Sequence, residues 1–231
     1  MDRIDRVKGT FGATKKVKKI PPSGAAVARL PRYFRVLSHL IDAKVLRISS
    51  EELGEMMGLT ASQVRQDFRH FGDFGQQGYG YQVKFLYQKI GELLGVAEGY
   101  RAVLVGDSPL QEVLLASGIY RETGIHCVLR LTAREEAPQP NAPLPTFPWS
   151  ARESALAEHP ADLAVLCAPS GVAREVAHAL VSLGVRAIFN CTGVPLTGLP
   201  ASVVTFDFAP EEPLLRLLYR LTQDTQTKDL P

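Results

Sequence analysis

The sequence predicts an α/β chain in two parts: an N-terminal winged-helix domain, then a parallel sheet wound with helices and closed by a leucine-rich helix. Three observations predict it. Residues 48–75 hold two short helical stretches, each with its own capping signature, separated by Gly58. From about residue 100 onward, short apolar runs alternate with helical stretches, as strands joined by helices do. Charge divides the same way, because residues 1–90 hold 16 Lys+Arg against 8 Asp+Glu and the rest hold 10 against 16. A basic half joined to an acidic half assigns a polyanionic partner to the first half alone.

Residues 1–24 carry Lys15, Lys16, Lys18 and Lys19 and end in Pro21-Pro22-Ser23-Gly24. With little to bury, they are expected to form a basic flexible arm, either a plain tail or a strap along phosphates. Residues 25–95 are the predicted winged-helix domain. Leu30, Phe34, Leu37 and Ile41 recur at 4, 3 and 4, one apolar face of a helix over 25–43 with Pro31 in its first turn. Ser49 or Ser50 caps the next helix, Glu51 and Glu52 charge its first turn, and Gly58 stops it. Thr60 caps the helix after that, with Gln63 three residues on as its partner. This helix turns Val64, Phe68 and Phe71 inward and leaves Gln63, Arg65, Gln66 and Arg69 on its other faces. Arginine and glutamine side chains match guanine and adenine edges in the DNA major groove, so the stretch reads as a recognition helix. The competing reading is a solvated helical hairpin. Asp67 would repel phosphate, which points to a structural role. Glycines and tyrosines then alternate through residues 78–81, as in a hairpin with its tip near Gln77-Gly78, and a helix follows over 83–94.

Residues 99–208 are Rossmann-like. Strands are expected at 102–106, 127–131, 163–168, 187–190 and 203–206, with helices at 109–117 and 172–183. Residues 137–148 hold five prolines in 12 positions, which predicts a stiff irregular loop. Residues 209–231 are a closing helix and tail. Leu214, Leu215, Leu217, Leu218 and Leu221 cover more than one stripe of that helix, which calls for burial on several sides, including in a partner subunit.

The three cysteines, Cys127, Cys167 and Cys191, are odd in number and far apart, which argues against a disulfide framework and for a reducing cytoplasm. The histidines show no metal-ligand spacing. No apolar run reaches the roughly 18 residues that a membrane helix needs.

The run SSEELGEMMGLTASQVRQDFRHFGDFG at 49–75 is followed by GYGY at 78–81. RYFRVL at 32–37 stands before it, and CAPS at 167–170 and IFN at 188–190 behind it. Over about residues 20–223 this sequence resembles the Rex family of redox-sensing transcriptional repressors. The resemblance implies a homodimer on inverted-repeat operator DNA. NAD(H) would set the angle between subunits, NADH would release the DNA, and the closing helix would be swapped across the dimer. Some positions depart from the pattern. Gly106-Asp107-Ser108-Pro109-Leu110-Gln111 keeps only the first glycine of G-x-G-x-x-G. Ser108 stands where a glycine favours close approach of a pyrophosphate, and Gln111 where helix and strand pack tightly. Asp107 is expected to bring negative charge beside the phosphates. Thr132, flanked by Arg130 and Arg134, stands where an acidic residue accepts the adenosine ribose. Gln76 and Gln77 replace the usual basic residue of the wing.

The candidate DNA contacts are therefore Arg65, Arg69, Gln63, Gln66, Lys44, Arg47, Gln76 and Gln77. The candidate NAD(H) contacts are Gly106, Ser108, Thr132, Pro169 and Ser170. Arg35 and Asp207 match positions that the family pairs between domains or across subunits. Cys167 and Cys191, near the ends of adjacent predicted strands, read either as a thiol sensor or as inert packing. No catalytic or metal-binding residue is assigned. The readings that stand are an NADH-responsive regulator, a DNA-binding regulator with a lost or changed ligand, a nucleotide- or CoA-binding enzyme, and a protein-binding module.

Overall fold

Four helical faces and a two-stranded ribbon build the core of the N-terminal half. The computed structural model describes residues 23–72, 80–134 and 144–228, and the chain divides into two units, Met1–Leu94 and Gly95–Pro231. Most of the basic arm, the expected wing tip with Gln76 and Gln77, and the prolines at 138, 140 and 143 lie outside the described residues.

Helix α1 (Gly24–Asp42) is capped by Ser23, whose hydroxyl accepts from the Ala26 amide at 3.2 Å. It buries Ala26, Leu30, Tyr33, Leu37 and Leu40, a stripe spaced 4, 3, 4 and 3. The expected stripe is thus out of phase in places. Ile41 lies at the surface, and Phe34 is half-buried, stacked on Tyr87 at 4.4 Å. Pro31 sits beyond the first turn rather than in it, because the helix starts at Gly24. Its position is exposed, so water can serve the Val27 carbonyl that loses its usual donor. The helix closes with the Val45 amide reaching back to the Leu40 carbonyl at 2.9 Å. Lys44 provides the left-handed turn that this closure needs, at φ 59°, a role usually given to glycine.

Strand β1 (Arg47–Ile48) leads into α2 (Ser50–Met57) and α3 (Ala61–Phe71). It pairs antiparallel with β2 (Tyr81–Gln82), which feeds α4 (Val83–Leu94). Two-residue strands carry no readable period, which is why β1 was not expected. Leu53, Val64, Phe68, Leu86 and Ile90 close the core among the four helices. Gly91 lies so near Phe34 that an added Cβ would sit 3.2 Å from its ring.

The described residues of the second unit form a six-stranded parallel sheet in the order β5-β4-β3-β6-β7-β8. The strands are β3 (Arg101–Val105), β4 (His126–Thr132), β5 (Thr146–Pro148), β6 (Leu163–Leu166), β7 (Ala187–Asn190) and β8 (Val204–Asp207). The chain reverses direction across the sheet between β3 and β6, the switch point where sheets of this kind hold ligands. The helices are α5 (Pro109–Ala116), α6 (Ile119–Glu122), α7 (Arg152–Glu158), α8 (Ala173–Ser182) and α9 (Glu211–Lys228). One face buries Val103, Leu129, Leu131, Leu166 and Leu180, and the other Leu104, Val165 and Cys167. The expected irregular loop over 137–148 is corrected at its end, where residues 146–148 pair with β4. Pro148 is tolerated there because β5 is an edge strand. The turn Trp149–Ala151 and α7 were also not expected, since the proline run obscures their period.

One stability prediction follows from α1. Lys44→Gly relieves the left-handed strain at some cost in unfolded-chain entropy, a net stabilisation of about 0.5–1 kcal/mol. Urea unfolding followed by far-UV circular dichroism should show the midpoint rise.

Candidate nucleic-acid interface and ligand site

Two reciprocal caps position the candidate recognition helix. The Glu52 amide donates to Ser49 Oγ at 3.1 Å and the Ser49 amide to Glu52 Oε2 at 2.7 Å. Ser49, not Ser50, is therefore the cap of α2. At α3 the Gln63 amide donates to Thr60 Oγ1 at 3.2 Å and the Thr60 amide to Gln63 Oε1 at 2.9 Å. Between them Gly58 turns at φ 66°, and the Leu59 amide reaches back to the Gly54 carbonyl at 2.8 Å. That turn leaves no room at Gly54, where an added Cβ would lie 2.6 Å from the Leu59 carbonyl oxygen. The joint between the helices is thus held by backbone contact.

Helix α3 buries Val64, Phe68 and Phe71 as expected and presents Gln63, Arg65, Gln66 and Arg69 to solvent. Gln63 is part of the cap, so its amide oxygen is committed. Arg65 Nη1 donates to Ser50 Oγ at 3.0 Å, which braces the guanidinium against the start of α2. Tyr81 lies near both arginines. Burial pushes its hydroxyl pKa up, and the charges of Arg65 and Arg69 oppose that rise. Lys44 and Arg47 are exposed beside α1 and β1.

The fourth buried residue of α3 is Asp67, 2% exposed. Its carboxylate accepts from Arg29 Nε at 2.7 Å and Nη2 at 2.6 Å, and from the Tyr33 hydroxyl at 2.9 Å. Burial and then the Asp67 bond raise the Tyr33 pKa, and the Asp67 bond raises that of Arg29. Both donors stay protonated. The structural role expected for Asp67 is a charged clamp between α3 and α1. Its partners, 34 and 38 residues away, carried no local signal.

At the C-terminal ends of the strands, Gly106 turns at φ 106°, and an added Cβ would strike the Cys167 carbonyl oxygen at 2.5 Å. Only glycine fits. Ser108 caps α5, accepting from the Leu110 amide at 3.3 Å, and Pro109 takes a first-turn position where a missing N–H costs nothing. Two positions that depart from the G-x-G-x-x-G pattern take structural roles. Gln111 points inward, 1% exposed, with Nε2 donating to Val105 O at 2.9 Å and Val165 O at 3.4 Å. It fills the space between helix and sheet with its amide hydrogens satisfied. Asp107 turns to the end of β4 instead, where its carboxylate accepts from Thr132 Oγ1 at 2.5 Å and the Ala133 amide at 3.0 Å. Hydrogen-bond donors at that strand end explain the turn. Pro169 and Ser170 are exposed beyond the end of β6.

Asn190, at the end of β7, was not singled out from sequence. It is buried, donates to Val194 O at 2.8 Å and to Asp207 Oδ1 at 2.6 Å, and accepts from Thr192 Oγ1 at 2.6 Å. Asp207 therefore has a partner within its own unit, and Arg35 is exposed on α1. In α9 the five leucines are 53–61% exposed, so among the described residues no side of the helix buries them. Val204 and Phe206 of the edge strand β8 are each 68% exposed.

The chain matches the family model described as "Putative DNA-binding protein N-terminus" over residues 19–68. It is 40% identical over 202 residues to the redox-sensing transcriptional repressor Rex of Clostridium beijerinckii, covering 87% of this chain and 95% of that protein. Among solved structures it is similar to RSP, a Rex-family repressor. The complex of RSP with β-NAD+ and operator DNA superposes with a TM-score of 0.78 at 32% identity, covering 91% of this chain and 97% of that one. For the complex of RSP with β-NADH the TM-score is 0.80 at 30% identity, covering 92% and 100%.

Removing the buried charge tests the clamp. Asp67→Ala should destabilise the first unit by about 3 kcal/mol, because it strands Arg29 and the Tyr33 hydroxyl. Tyr33→Phe should cost about 1 kcal/mol. Chemical denaturation of both variants checks the order.

Proposed function

The chain belongs to the Rex family of redox-sensing transcriptional repressors, and on that premise we propose that it binds operator DNA through α3 and is controlled by NAD(H) at the end of its sheet. The observation that carries the reading is α3 itself, whose cap, apolar face and Asp67 clamp leave Arg65, Gln66 and Arg69 as a supported polar face. Arg65 and Arg69 are the base readers, with Gln66 beside them and Gln63 lending its free amide nitrogen. Lys44 and Arg47 contact backbone phosphates, and Gln76 and Gln77 serve the wing. RSP was crystallised with operator DNA, which supports carrying the partner across.

For the cofactor, RSP with β-NAD+ and with β-NADH supplies the precedent. The residues here fit it. Gly106 allows close approach at the turn, the α5 N-terminus with Ser108 favours phosphate, and Pro169 and Ser170 line the opposite strand end. Thr132 lacks a carboxylate for the adenosine ribose, but Asp107 brings one to the same strand end. That carboxylate accepts a ribose hydroxyl and repels a 2′-phosphate, which favours NAD(H) over its phosphorylated form. When bound, the nicotinamide carries the redox signal and no reaction is required of the protein, so we read the chain as a regulator rather than an enzyme.

A second copy of the chain is the partner for α9, whose leucines lie exposed together with Val204 and Phe206. Arg35 and Asp207 are then pairing positions between domains or subunits. We place this homodimer in the cytoplasm with the DNA it reads.

A mobility-shift titration on promoter fragments of the source genome tests the function. Specific binding should be released by micromolar NADH; binding that ignores NADH would leave a regulator with a different ligand, and no specific binding at any salt would sink both. Alanine at Arg65 and Arg69 should abolish specific binding with the dimer intact. In direct titrations NADH should bind more tightly than NADPH, and Asp107→Ala should narrow that preference about tenfold, roughly 1.4 kcal/mol.

A further inference from the structure

The two cysteines at the strand ends have a geometry that the DNA- and NADH-binding roles do not use. Strands β6 and β7 run parallel with Leu166 opposite Asn190, and the next residues on each are Cys167 and Cys191. The ladder continues there, with the Cys191 amide donating to the Leu166 carbonyl at 2.8 Å. Neighbouring strands lie about 4.8 Å apart, within the span of roughly 4.4–6.8 Å between α-carbons that a disulfide bridges. Both side chains join the same apolar cluster with Leu104, Val165 and Tyr120, so they leave the sheet on the same side. Among the described residues the buried Tyr120 hydroxyl of that cluster has no hydrogen-bond partner, and the Gln111 side chain also bonds the Cys167 sulfur.

We propose that Cys167 and Cys191 are a reversible dithiol–disulfide site, closed by a hydroperoxide. The thiols act directly on each other. The hydrogen bond from Cys191 lowers the Cys167 pKa, while the same contact and burial raise that of Cys191. Cys167 is thus the thiol that loses its proton first, and Cys191 keeps its own. The Cys167 thiolate attacks the O–O bond of the peroxide and takes one oxygen to become a sulfenic acid, and the other oxygen leaves as an alcohol or water. The Cys191 sulfur then attacks the sulfenic sulfur, an S–S bond forms, and water departs with the Cys191 proton. Two thiols are oxidised and one peroxide is reduced. Cys167, the attacking thiol, is buried, and the half-buried Cys191 beside it is the side from which so small an oxidant reaches the pair. Cys127 belongs to the same cluster, but burial holds its thiol up at about 11, so it stays protonated and makes an internal control. The bridge would tether β6 to β7 next to the Cys167 carbonyl that Gly106 contacts.

The test uses the full chain treated with hydrogen peroxide, alkylated, digested without reductant and mapped by mass spectrometry. The expected result is one cross-linked species joining the Cys167 and Cys191 peptides of a single chain, reversed by dithiothreitol, with Cys127 still alkylated. Cys127→Ser should leave the cross-link in place, and Cys191→Ser should abolish it. The wild-type map decides the matter even if a variant misfolds. No Cys167–Cys191 peptide, a bridge through Cys127, or one found only between chains would overturn the proposal.

Discussion

A single buried carboxylate holds the candidate recognition helix of this protein in place. Asp67 lies on the helix proposed to face DNA, where a free negative charge would be costly on both counts: burial strips its water, and phosphate would repel it. Arg29 and Tyr33 of α1 remove both problems by matching it with two guanidinium donors and a hydroxyl. The result is directional. An apolar contact alone would let α3 rotate or slide by a fraction of a turn, whereas a bidentate pair fixes its roll about its own axis. The roll decides which side chains face outward, so the outward position of Arg65, Gln66 and Arg69 depends on a charge they never touch.

A carboxylate does comparable work in the sheet half. Asp107 sits in the turn where the family pattern has no use for negative charge, yet it bonds the end of β4, where that pattern does. Gln111 behaves similarly, replacing a glycine by filling the gap between helix and sheet and bonding two strand carbonyls. Sequence departures that look like losses of a ligand site are thus absorbed, one into the interior and one onto the neighbouring strand.

Local signals were legible wherever a few consecutive residues settle the structure. The Thr60–Gln63 box, the Gly58 turn, the extent of α4 and the strand at 187–190 all follow from short-range rules, and each has the expected form. Signals that depend on phase were less secure. Ile41 lost its place in the core to Leu40 because both lie on the apolar side of α1, and only packing against α4 selects between them. Strand β5 hid in a proline run, since an edge strand needs few amide donors.

The sequence by itself determined the two-part architecture, the capped helix pair, the main strands and helices of the sheet half apart from β5 and α7, and the family to which the chain belongs. All of these rest on local chemistry or on a long run of matching residues. Only the tertiary structure decided what the charged and polar residues do. The Arg29–Asp67–Tyr33 clamp, the turn of Asp107 toward Thr132, the burial of Gln111 and the meeting of Cys167 with Cys191 join positions from 24 to 38 residues apart in three of the four cases. A carboxylate or a thiol takes its role from what the fold places beside it, and no window of the sequence contains both partners.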